Sequence, residues 1–213
     1  MDEYANTAIK IGKTGTCFVQ DSKLTDRLLS VIENDILPLT ERGVDSGNKV
    51  FGAAILRKSD LSLVIAGTND ETTNPLWHGE VKTLNQFYEL PSPPPTSELL
   101  FLSTHEPCTM CMSAITWAGF DNYYYFFSHE DSRDSFGIPH DLKIMKELYG
   151  LEPGGYRRSN AFFTAHSIVQ MAEDTTGPTH EQLMKRIDAI RHRYALASDT
   201  YQSHKNATGI PLG

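Results

Sequence analysis

Apolar and polar positions run through this chain in two rhythms. Between residues 22 and 42, Leu24, Leu28, Ile32, Ile36 and Leu39 recur at three- and four-residue steps, the period of a helix with one buried face. Pro38 near its end is expected to kink or stop it. Gly43 to Asn48 is turn-like. "VFGAAILR" (50–57) and "LSLVIAG" (61–67) predict a strand pair joined by a short polar turn around Ser59 and Asp60. "HGEVKTLNQFYEL" (78–90) predicts a helix with Val81, Leu84, Phe87 and Tyr88 on one face.

"PSPPPTS" (91–97) reads as a stiff connector, too short to separate domains. "LLFLST" (99–104) is a continuous apolar strand, the kind buried on both faces of a sheet. Then come a helix over "CTMCMSAITWAGF" (108–120), an aromatic strand "NYYYFFS" (122–128), and a helix "HDLKIMKELYG" (140–150) with Gly150 as its C-cap. "AFFTAHSIVQM" (161–171) is expected to be a last strand, or a short strand entering a turn. "THEQLMKRIDAIRHRYAL" (179–196) predicts a C-terminal helix. Strands alternating with helices predict a three-layer α/β domain, with parallel strands where helices join them. We expect one domain over 1–213, with an N-terminal helix and a C-terminal helical extension.

Composition narrows the partners more than the fold. The chain has 213 residues, 39% of them hydrophobic and 10% aromatic, enough for a sizeable core. Its 27 acidic residues outnumber 19 lysines and arginines, for a formal net charge of −8. A protein that grips nucleic acid usually presents a basic surface, so a small heterocyclic ligand fits better and no nucleic-acid partner is expected. No apolar run approaches the ~20 residues that span a bilayer, and no membrane partner is expected. The start "MDEYANTAIKIGKTG" lacks an apolar signal region. Of three cysteines, two lie in one C-x-x-C, so a reducing, cytoplasmic setting is expected rather than a disulfide framework.

Two short motifs change the picture. "HGE" (78–80) opens one predicted helix, and "EPCTMC" (106–111) opens the next as the chain leaves an apolar strand. Cys108 and Cys111, three apart at a helix start, direct both sulfurs to one side. The helix N-terminus favours thiolates. With the His78 imidazole they make three ligands, the number a catalytic zinc site uses when it keeps one position for water. Glu80, two residues beyond His78, can sit near the metal without binding it and carry protons.

"HGE" followed by "PCTMC" is similar to the H-x-E…P-C-x-x-C signature of the cytidine-deaminase superfamily. "NPLWHGE" and "STHEPCTMCMSAITWAGFDNYYYF" resemble its cytosine, guanine and tRNA-adenosine deaminase branch, over about Val50 to Tyr149. The resemblance implies a five-stranded mixed sheet with helices on both faces, and hydrolytic release of ammonia from an aminated heterocycle. It implies Zn²⁺ on His78, Cys108 and Cys111, Glu80 as proton shuttle, the Gly79 backbone N–H near the ring, and Asn69 on the substrate. It also implies a homodimer. Trp77 is a candidate wall of the base pocket; Trp117 is either a second wall or ordinary core. His129, Asp131, Asp134 and Phe136 are candidate contacts in 126–141, against a default of solvated loop charges. Cys17 reads as a partly buried thiol, and the tail histidines His180, His192 and His204 receive no metal role. Glycine between His78 and Glu80 resembles cytosine deaminases, whereas "GIPHD" stands where guanine deaminases carry an acidic motif. The base itself stays open. So do two alternatives: a nucleic-acid deaminase, and a non-catalytic zinc-binding module.

Overall fold

The computed structural model describes residues 16–152 and 155–212, with the side chains of 16–20 outside the description. Cys17 is among these, so its expected partial burial lies outside the described residues.

The first helical stretch is longer than its periodicity suggested and is interrupted. Helix α1 (Thr16–Val31) passes through a π-helical turn (Ile32–Ile36) into α2 (Leu37–Asp45), with Pro38 in the first turn of α2. Pro38 has no N–H and its ring crowds the carbonyl four residues back. The chain widens just ahead of it rather than stopping.

Strands β1 (Gly52–Arg57) and β2 (Leu63–Thr68) form the expected antiparallel hairpin. Helix α3 (Gly79–Tyr88) follows, then β3 (Leu99–His105), α4 (Thr109–Trp117) and β4 (Asn122–Phe127). Next is α5 (His129–Asp134), inside the segment expected to be a loop. The sequence Ser-His-Glu-Asp explains it. Ser128 accepts from the Asp131 backbone while the Asp131 carboxylate accepts from the Ser128 N–H at 2.8 Å, a capping box. Helix α6 (His140–Tyr149) ends on Gly150, whose φ of 65° is the left-handed cap that glycine tolerates. Strand β5 (Thr164–Ser167) is short and runs straight into α7 (Ile168–Glu173). Helix α8 (Gly177–His204) has 28 residues, longer at both ends than predicted.

The five strands form one mixed sheet in the order β2-β1-β3-β4-β5. β1 is antiparallel to β2 and β3; β3, β4 and β5 are parallel. Alternate residues of each central strand serve opposite faces. Ala54, Leu56, Leu100, Leu102, Tyr124 and Phe126 enter a core with α1, α2, α7 and α8. Ala53, Ile55, Leu99, Phe101, Tyr123 and Tyr125 enter a second core with α3 and α4. This is the expected three-layer α/β/α arrangement, and α8 belongs to its first core through Leu183, Ile187, Ile190 and Tyr194. Among the described residues, no helix is long and apolar enough to cross a membrane.

Candidate metal centre and active-site cavity

Two helix N-termini meet beside the end of β3. His78 is the residue just before α3, and Cys108 the residue just before α4; both have extended backbone. Their side chains therefore point back over the ends of their helices, at the side of the sheet where parallel strands end and ligands commonly bind. The Cys108 sulfur caps α4 by accepting from the Cys111 N–H at 3.5 Å. The two sulfurs are 3.4 Å apart, and His78 Nδ1 lies 3.6 Å from Cys108 and 3.7 Å from Cys111. Bonds of about 2.3 Å to sulfur and 2.1 Å to nitrogen give a tetrahedron edges of roughly 3.6–3.8 Å. The triangle has nearly that size already, so these three residues fit zinc. Among the described residues it is the one such group of His, Cys, Asp or Glu. The tail histidines take no part in it.

The close meeting depends on Gly79. A Cβ there would come within 2.8 Å of the Gly52 Cα and 2.9 Å of the Phe51 carbonyl, both backbone. Glycine lets the first turn of α3 lie directly on β1.

Glu80 is buried, 4% exposed, in that same first turn. Ser103 Oγ on β3 lies 2.9 Å from its Oε1 and 2.6 Å from the His105 carbonyl. Burial, followed by the neighbouring Cys108, pushes the Glu80 carboxyl above its ordinary pKa. The Cys108 thiol is held well below its usual value, chiefly by hydrogen bonding from Cys111. The site thus combines one ready thiolate with one carboxyl inclined to hold a proton.

A cavity of about 520 Å³ opens above the three ligands. His78 and Cys108 form part of its floor, with Lys49, Phe51 and Glu71; Asp141, Ile144, Leu148 and the tail residues Ile210 and Leu212 complete it. Burial pushes the Asp141 carboxyl up to about 8. Lys49, Glu71 and the tail residues carry no local motif, whereas Asp141 ends the "GIPHD" stretch within 126–141; tertiary folding brings them together from four separated segments.

The other sequence candidates lie elsewhere. Asn69 is buried behind the floor: its Oδ1 accepts from the Gly79 N–H, and its Nδ2 donates to Glu71 at 2.5 Å. Trp77 lies outside the cavity lining, with the Lys82 ammonium 3.6 Å over its ring. Trp117 is 91% exposed and lies outside both the core and this cavity, at the edge of a smaller open depression with Thr116 and Tyr149. His129 is buried against Glu106 and the Pro107 carbonyl. Asp131 caps α5, Asp134 pairs with Arg133, and Phe136 is core. Arg158, beside Arg157, is engaged by the buried Glu106 carboxylate at 3.0 Å.

Comparison with known proteins points the same way. The family described as the cytidine and deoxycytidylate deaminase zinc-binding region matches residues 34–127, which include His78, Glu80, Cys108 and Cys111. Guanine deaminase of Bacillus subtilis (strain 168) is 30% identical over 109 residues, 50% of this chain and 67% of that protein. Among solved structures, guanine deaminase from Nitrosomonas europaea aligns with 18% identity and a TM-score of 0.47, covering 87% of this chain and 100% of that one. The Bacillus subtilis guanine deaminase structure aligns with 21% identity and a TM-score of 0.45, covering 73% and 90%.

Proposed function

This chain belongs to the cytidine deaminase-like superfamily and is a hydrolytic deaminase acting on C–N bonds; from that premise we propose that its substrate is a free aminated nucleobase, with guanine the first candidate. The observation that carries the reading is the meeting of three zinc ligands with the buried Glu80 carboxyl, with two of those ligands, His78 and Cys108, on the floor of a mostly apolar cavity. Zinc held by His78, Cys108 and Cys111 supplies Lewis acidity, which makes water a nucleophile near neutral pH.

The chain's own residues do the rest. Glu80 takes a proton from the attacking water and passes it to the ring nitrogen beside the attacked carbon, then moves the remaining hydroxyl proton to the amine; the exocyclic C–N bond breaks, a ring carbonyl forms and ammonia leaves. Ser103 suits both states of that carboxyl. Its hydroxyl can turn to donate to the carboxylate, or donate to the His105 carbonyl and accept from the carboxylic acid. Phe51, Ile144 and Leu148 offer apolar contact for a flat ring and keep bulk water out. Asp141 lines the cavity with its carboxyl raised toward the neutral form, so its carbonyl oxygen accepts a ring N–H and its O–H donates to a ring acceptor. Asn69 keeps the Gly79 N–H and Glu71 in place from behind.

The reading extends to partners. The engagement of Arg158 with Glu106 and the net charge of −8 favour a small molecule over nucleic acid. The exposed Trp117, Tyr149 and Phe162 favour a homodimer. Thiolate ligands favour a reducing compartment such as the cytoplasm.

The deciding experiment is an ammonia-release screen of zinc-loaded protein across guanine, cytosine, adenine, their nucleosides and other aminated heterocycles. Release from guanine or another free base is expected. Fully zinc-loaded protein that releases ammonia from none of the bases would overturn the reading.

A further inference from the structure

On the cavity floor beside the metal centre lies a pair of charges that the chemistry above does not use. The Lys49 and Glu71 side chains are 5% and 2% exposed, and Lys49 Nζ is 3.0 Å from Glu71 Oε1. Burying such a pair adds little stability over apolar residues of similar size, so packing alone gives no reason for it. Its geometry gives one. The same Oε1 lies 3.5 Å from His78 Nε2, while Oε2 accepts from Asn69 Nδ2 at 2.5 Å. The other ring nitrogen of His78 faces the two sulfurs.

An imidazole that gives one nitrogen's lone pair to a metal must carry its proton on the other, and a carboxylate on that side fixes both tautomer and ring orientation. We propose that Glu71 is the positioning residue for His78, holding its Nε2–H so that Nδ1 is presented to the metal, and that Lys49 and Asn69 in turn hold Glu71. At 3.5 Å the pair is a charge contact, longer than the ~2.7–3.2 Å of a formed N–H···O bond. What it decides is which nitrogen faces a carboxylate and which faces the sulfurs. Asn69 also accepts from Gly79, so one buried side chain ties the carboxylate to the backbone beside His78. The inference rests on the zinc centre argued above.

The test uses metal affinity rather than turnover. Zinc is titrated against a chromophoric chelator with wild type, Lys49→Met/Glu71→Leu and Lys49→Met/Glu71→Gln. The Met/Leu variant removes both charges and the acceptor; its metal-free melting temperature is expected to stay near wild type while zinc affinity falls 10- to 100-fold. The Met/Gln variant keeps an acceptor amide and is expected to recover most of that loss, which a merely structural role does not predict. Wild-type affinity in a folded Met/Leu variant would overturn the proposal. A second readout needs no variant: in zinc-loaded wild type, ¹⁵N spectra are expected to show His78 protonated at Nε2 and ligated at Nδ1, and the reverse pattern overturns it. Failure of wild type to bind zinc would instead strike the deaminase reading itself.

Discussion

The floor and the rim of the cavity are built in different ways. The floor comes from two helix starts and the strand between them: His78, Gly79, Glu80, Ser103, Cys108 and Cys111. Its side chains are mostly buried, with Cys111 at 0% and Glu80 at 4% exposure. The rim comes from three separated segments: Leu76, the α6 residues Asp141 to Tyr149, and the tail around Ile210 to Leu212. Leu76, Leu148, Tyr149 and Leu212 are all about half exposed or more. The contrast teaches that bond-making groups are fixed by local backbone geometry. The surface that meets the ring depends on how distant elements come together, and it has fewer contacts holding each side chain.

The strongest way to break this division is Glu80→Gln. The amide keeps the shape of the floor but cannot carry the proton. Turnover is expected to fall by roughly 100- to 10,000-fold, with the zinc content of purified protein unchanged. Steady-state ammonia release and elemental analysis check both halves. Near-normal turnover would remove Glu80 from the chemistry.

A second test separates the floor's fold from its reactivity. His105, at the end of β3, is buried among Phe51, Phe127, Phe136 and Tyr194, and burial holds its pKa down to about 3. The unfolded imidazole titrates near 6.5. The folded form therefore disfavours the proton. The stability tied to neutral His105 is fully present above pH 6.5 and is lost as pH falls toward 3, because the unfolded chain binds the proton first. The slope is about 1.4 kcal/mol per pH unit below 6.5, an upper bound of roughly 5 kcal/mol in all. Urea midpoints of metal-free wild type and His105→Phe at pH 7.5 and 5 check it. The wild type is expected to lose more stability than the variant, and equal losses would show that His105 is not the acid-sensitive group.

The same contrast explains what the sequence reveals. The five strands, helices α3, α4 and α6, and the His78–Cys108–Cys111 set were legible because each rests on short-range signals: period-two or period-four apolar positions, a glycine cap, a C-x-x-C at a helix start. Helix α5 was missed although its capping box, Ser128 to Asp131, is local; the charged run around it reads equally well as loop. The length of α8 was missed because only its central turns carry clear apolar spacing, while Tyr201 is buried by tertiary contact. Lys49 and Glu71 carry no local mark at all, and Asp141 was marked only as the end of the "GIPHD" stretch. Charged residues in loops and helix starts are ordinarily solvated, and only the assembled fold turns these inward. Asn69 was legible as a residue of interest, but its contacts with Gly79 and Glu71 were not, since they join residues that no shared local motif connects.

The smallest expected effect tests the rim directly. Leu212 lines the cavity yet is 49% exposed. Deleting most of its side chain removes only part of the 1.5–3 kcal/mol that full burial of a leucine is worth, so roughly 1 kcal/mol of ring contact is at stake. Such contact is the same in the bound substrate and at the transition state, because it touches no atom whose charge changes. It therefore belongs to KM and not to kcat. For Leu212→Ala, KM for the preferred base is expected to rise about fivefold or less while kcat stays within a factor of two. If kcat instead fell tenfold, the tail would be acting on the reacting atoms or on closure over them, and the floor and rim would be one catalytic unit.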